Sequence, residues 1–129
     1  MPKKNIELLK RLRTRFLRMR HPKHFEMTDV ATRNECGTAM CIAGHTLDLL
    51  GFKVRFRVNG SADWFYPSGR RLPRREGSDS IDAPLNAAQR ALGLTRFEAQ
   101  NFDHGLFYDF SIKTPKQAAA RIEKLIAEG

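Results

Sequence analysis

The stretch Cys36-Gly37-Thr38-Ala39-Met40-Cys41-Ile42-Ala43-Gly44-His45-Thr46-Leu47-Asp48-Leu49-Leu50-Gly51 decides how this chain folds. Its apolar residues (Ala39, Met40, Cys41, Ile42, Ala43, Leu47, Leu49 and Leu50) fall on nearly every side of a helical projection. A helix that is apolar all round has to be covered all round. The spacing therefore predicts a core helix over about 38–50, entered tightly at Gly37 and closed by Gly51 as a left-handed C-cap. Ala43-Gly44 permits another element to approach closely, and Thr46 and Asp48 add a polar strip.

The flanks supply the cover. Upstream, Ile6, Leu9, Leu12 and Phe16 recur at steps of three and four, widened by Leu8 and Met19. This predicts an amphipathic helix over about 5–20, ended by Pro22. Residues 21–37 read as a connector anchored by Phe25 and Met27. Downstream, Lys53 to Val58 alternates charged and apolar residues, and Asn59-Gly60 is a turn signal. A β-hairpin is predicted over about 53–66, with Asp63-Trp64-Phe65-Tyr66 as its return strand. The polar run from Arg70 to Ser80 reads as an exposed, mobile loop. The last third, 84–128, reads as helical. Pro84 opens a helix closed by Gly93, and Thr95 and Glu98 have capping-box spacing for a short helix to Phe102. Thr114, Pro115 and Gln117 open a final helix whose apolar face is Ala118, Ala119, Ile122, Leu125 and Ile126. The expectation is one domain over 1–129, mainly α within the α+β class: a central buried helix packed by surrounding helices, with a small hairpin.

Composition narrows the function classes. A chain of 129 residues with a 41% hydrophobic fraction suits a soluble globular domain. No apolar run approaches the roughly 20 residues needed to span a membrane, and no signal-peptide pattern is present, so a cytoplasmic protein is expected. The two cysteines, Cys36 and Cys41, are then expected as free thiols. The net charge of +9 is unevenly spread. Residues 1–24 carry nine basic side chains against one acid, Glu7, which accounts for +8. A second cluster, Arg70, Arg71, Arg74 and Arg75, is partly offset by Glu76 and Asp79. Such asymmetry implies attraction to a polyanion.

Two constellations can carry chemistry. Cys36, placed at the predicted start of the core helix, sits where a helix N-terminus stabilises a thiolate. His45 cannot act as its base from the same helix, because nine residues at 1.5 Å rise separate them by roughly 13 Å. His21, His24 or His104 would have to reach it through the fold. Cys36, Cys41 and His45 also make a Cys-x4-Cys-x3-His set for zinc, with a fourth ligand unassigned and a poor match to the usual knuckle spacing. The plainer reading makes Cys41 an apolar filler and Cys36 a small residue at a tight turn. Deaminase, phosphate-loop and nucleophile-elbow motifs are absent from the sequence.

The second constellation is basic. Arg11, Arg15 and Arg18 follow helical spacing, and so do Lys10 and Arg13. Together with Arg70 and Arg71 they can neutralise several phosphates, or dock on an acidic protein surface. Phe56, Trp64 and Tyr66 could stack on bases, but fit core positions better. A solvated helix face is the bland alternative.

The run Cys36 to His45, with Phe25-Glu26-Met27 upstream, resembles the signature of a group of small bacterial and phage proteins without an established activity. Leu92-Gly93-Leu94-Thr95 with Glu98-Ala99, and Thr114-Pro115-Lys116-Gln117-Ala118-Ala119, extend the resemblance over most of the chain. It implies the architecture and a bacterial or phage setting, and implies no activity or cofactor. The expected function is a non-enzymatic binding or accessory protein. Its contacts would be Arg11, Arg15, Arg18, Arg70 and Arg71, its partner nucleic acid or an acidic protein surface. The alternative is a thiol-dependent enzyme using Cys36 with His104, or a zinc protein on Cys36, Cys41 and His45.

Overall fold

The structure is a computed structural model, which describes residues 3–19, 25, 32–34, 37–58, 62–72, 75–76, 81–101, 105–109 and 111–128. Helix α1 spans Ile6–Leu17 and α2 Ile42–Leu49; α3 (Ala83–Leu92), α4 (Arg96–Gln100) and α5 (Pro115–Glu128) follow. A 3-10 turn over Leu106–Tyr108 joins the last two. Three antiparallel two-stranded ribbons lie between the helices: β1 (Thr32–Asn34) with β2 (Gly37–Ala39), β3 (Lys53–Phe56) with β4 (Ala62–Phe65), and β5 (Arg75–Glu76) with β6 (Ile81–Asp82). The chain is mainly helical, and α1 packs against α5, α2 and α3.

The core helix is shorter than predicted. It begins at Ile42, and Gly37-Thr38-Ala39 is a strand paired with Thr32-Arg33-Asn34. Short apolar runs suit a buried strand as well as a buried helix. Gly37 and β-branched Thr38 are weak helix formers, so a pairing partner decides in favour of the strand. Met40 continues it by a bridge to Phe25, and Cys41, extended at φ −77° and ψ −176°, becomes the N-cap of α2. The burial expectation holds. Ile42, Ala43, Gly44, His45, Thr46 and Leu47 are all buried. Thr46 does not form an exposed strip; its hydroxyl donates to the Ile42 carbonyl at 2.8 Å.

Helix ends follow the predicted cap chemistry. Gly51 (φ 92°) and Gly93 (φ 68°) are both left-handed. After α3, Gly93 N–H donates to the Arg90 carbonyl at 3.1 Å and Leu94 N–H to Gln89 at 3.2 Å, the paired bonds of a Schellman cap. The same junction receives the start of α1. Asn5 N–H donates to the Leu92 carbonyl at 2.9 Å and its side-chain amide to Ala91 at 3.2 Å. The Asn5 side-chain oxygen caps α1 by accepting from Leu8 N–H. Carbonyls left over at one helix end thus fasten the beginning of another.

A capping box opens α4, as the Thr95–Glu98 spacing predicted, and a second opens α5. Thr95 and Glu98 exchange bonds of 2.9 and 3.1 Å at the start of α4, which ends at Gln100 rather than Phe102. Thr114 and Gln117 do the same ahead of α5 at 3.1 and 3.2 Å. Glu98 also pairs with Lys4 at 3.3 Å. Partial burial pushes the Glu98 carboxyl up, but the Thr95 backbone N–H and the Lys4 ammonium outweigh it, leaving the group below its ordinary range. The ionised form is therefore the one favoured by folding. Its contribution is complete above the ordinary carboxylate range and is lost as pH falls through the lowered folded value. Thr95→Ala is expected to cost about 1 kcal/mol. In Glu98→Gln the acid limb of the stability–pH curve should flatten, which thermal melts at neutral and acid pH will read; an unchanged limb contradicts this.

The core is one cluster. Leu8, Leu9, Leu12 and Phe16 of α1 meet the α2 residues and Ala118, Ala119, Ile122 and Leu125 of α5 within it. At its centre three rings stack: Phe16 stands edge-on to Phe25 (5.4 Å, 79°) and to His45 (5.2 Å, 81°), and Phe25 lies over His45 (6.3 Å, 20°).

Candidate functional site

Helix α1 sorts its charges by position. The apolar stripe occupies one side, and a 3.6-residue period puts Arg13 and Arg15 on its two flanks. Both reach neighbouring helices: Arg13 pairs with Glu123 of α5, Arg15 with Asp48 of α2. Lys10, Arg11 and Arg18 fall on the opposite side and are exposed. Among the described residues, Arg11 and Arg18 enter no ion pair. The four cations of α1 and Arg18 at its C-cap thus divide into two that tie the helix down and three that face outward.

Arg70 and Arg71 lie on a different element, just beyond β4. The chain turns at Pro67-Ser68-Gly69 and runs back along β4, with Arg71 bridged to Phe65 and Leu72 N–H donating to the Trp64 carbonyl at 2.9 Å. The Arg70 guanidinium stands 5.3 Å from the centre of the Tyr66 ring. The run predicted as loop over about 70–80 therefore contains this return and the strand β5, whose partner β6 follows just beyond it. Arg74 lies outside the described residues.

The β3–β4 ribbon has two distinct faces. Val54 opposes Trp64 on the inner one, and Trp64 is buried, so it is a core residue rather than a stacking surface. Lys53 opposes Phe65 and Arg55 opposes Asp63 on the outer one. Lys53, Arg55 and Arg57 are exposed, and the Arg55 guanidinium lies over the Phe65 ring at 5.6 Å. Arg57 holds Asp63 at 2.7 Å. Phe65 was not singled out by the sequence. Alternation in β3 was visible, but the register that sets Lys53 beside Phe65 depends on a turn whose length the sequence leaves open.

The cysteine constellation changes character. The core helix starts at Ile42 and residues 37–39 are extended, which corrects the helix start expected at about 38. No continuous helix therefore runs from position 37 to His45, and the helical rise does not set their separation. Cys36, His21, His24 and His104 lie outside the described residues. Cys41 is free of disulfide and buried, and the Cys41 carbonyl accepts the His45 N–H at 2.9 Å. Among the described residues no three His, Cys, Asp or Glu side chains are grouped closely enough to hold a metal ion. His45 is only 1% exposed and sits against two phenylalanine rings, a packing position.

No helix among the described residues is long and apolar enough to cross a membrane. No protein-family model, curated protein or solved structure matches the chain.

Proposed function

We propose that this protein binds nucleic acid without enzymatic action and without reading base sequence, through the outward side of α1. The observation that carries this is the placement of Lys10, Arg11 and Arg18, exposed and opposite the apolar stripe, within a segment that holds most of the net charge. A run of cations on one helix side follows a row of phosphates and releases counterions on contact. Arg15 contributes in part. Its pair with Asp48 is half-exposed, and such pairs are worth only about 0–1 kcal/mol, so a phosphate can compete for the guanidinium. Arg70 and Arg71 enlarge the basic surface on the ribbon side.

The test is binding of a mixed-sequence DNA duplex, read by fluorescence anisotropy across a salt series. Binding at about 50 mM salt should weaken steeply towards about 200 mM, with little preference among sequences. Absence of binding at the lower salt overturns the proposal.

A further inference from the structure

The outer face of the β3–β4 ribbon carries a more specific reading. Four exposed cations (Lys53, Arg55, Arg57 and Arg71) share this small sheet with one carboxylate, Asp63, which is already held by Arg57 at 2.7 Å. Between them lies Phe65, flanked by Lys53 on one strand and Arg71 on the other. Its ring is partly exposed, with the Arg55 guanidinium 5.6 Å from its centre. Apolar residues of a sheet this small normally face the core, as Val54, Trp64 and Leu72 do here. The Phe65 ring, on the opposite side and among cations, lies outside that core.

The geometry points to single-stranded nucleic acid as the occupant of this face, a reading that rests on the polyanion binding proposed above. An unpaired base stacks on Phe65 beside Arg55, while Lys53 and Arg71 neutralise the phosphates on either side. Charge complementarity selects a polyanion, and the partly exposed ring, with Arg55 over it, selects one with unstacked bases, because duplex bases expose only their edges. The face and α1 then divide the work. The helix and the ribbon-side arginines bind any phosphate row, and Phe65 with its neighbours Lys53 and Arg55 adds affinity only for a single strand.

The experiment compares a labelled oligothymidylate with a mixed-sequence duplex at about 50 mM salt, using the full chain. Phe65→Ala should weaken oligothymidylate binding about tenfold and leave duplex binding within about twofold, since one stacked base is worth about that factor. Phe65→Trp should restore the single-strand affinity. Lys53→Ala with Arg55→Ala removes two exposed side chains without touching the core. It should weaken oligothymidylate binding several-fold and selectively, so the inference can be tested even if Phe65→Ala does not fold. If wild type binds both probes and these variants bind oligothymidylate as wild type does, the ribbon face is not the site, while the proposal for α1 stands. If wild type binds neither probe, both readings fall together.

Discussion

Phe16→Ala is expected to lower the unfolding free energy by about 4 kcal/mol and the melting temperature by about 15 °C. Phe16 is 1% exposed and touches the rings of Phe25 and His45 edge-on. Truncation removes a large apolar side chain and leaves a cavity lined by rings that cannot close over it. Edge-to-face contacts with Phe25 add to the loss beyond area alone. Such a cost is a large part of the 5–15 kcal/mol total of a typical domain. Phe16→Leu keeps most of the volume and should cost about 1.5 kcal/mol. Chemical denaturation of the three proteins checks both values, and a loss below about 1.5 kcal/mol for Phe16→Ala contradicts the packing described.

Gly93→Ala should be nearly as severe, at about 3 kcal/mol, for two separable reasons. The first is the left-handed backbone, φ 68°, which costs a non-glycine residue about 1–2 kcal/mol. The second is space. A Cβ on Gly93 would run into the Lys3 carbonyl group, whose carbon lies at 2.9 Å, and stand 3.0 Å from the Asn5 nitrogen. These are backbone atoms of the segment that docks α1 on α3, so relief means undoing the Asn5 bonds to Leu92 and Ala91. Gly69 separates the two causes, being left-handed at φ 97° with nothing within 4 Å of the added methyl. Gly69→Ala should therefore cost only the conformational share, about 1 kcal/mol. Because Gly93→Ala and Asn5→Ala damage the same junction, the double variant should lose less than the two single losses added. Equal losses at Gly93 and Gly69 would refute the close approach.

Much of this architecture was legible in the chain because it is written in local chemistry. The α1 stripe, the Thr95–Glu98 capping box and the helix-closing glycines Gly51 and Gly93 depend on spacing within one turn, and each stands where spacing placed it. The entry to α2 was not legible. The run Ala39 to Ala43 contains no polar residue to break symmetry between period two and period 3.6, and only the distant partner Thr32–Asn34 makes Gly37–Ala39 a strand. The pair β5–β6 escaped because two-residue strands carry no period at all. At the candidate site, clustering of charge was plain, but the division of labour within α1 was not. Arg13 and Arg15 flank the stripe, but what turns them into ties is Glu123 and Asp48, carboxylates 110 and 33 residues away that tertiary packing brings into reach. Arg15 therefore looked like a freely available contact in the sequence and is an inter-helix tie in the fold. The outward Phe65 is the same kind of case, since the pairing register decides its side.

The division within α1 is the claim most worth measuring, through the salt dependence of duplex binding by the Arg11→Ala/Arg18→Ala double variant. Each lost phosphate contact lowers the slope of log K against log salt by about 0.9. The account predicts a slope smaller than wild type by about 2, with the melting temperature unchanged, because neither side chain ties helices together. A slope equal to that of the wild-type protein would show that the outward cations of α1 meet no phosphates, and would contradict the account at its centre.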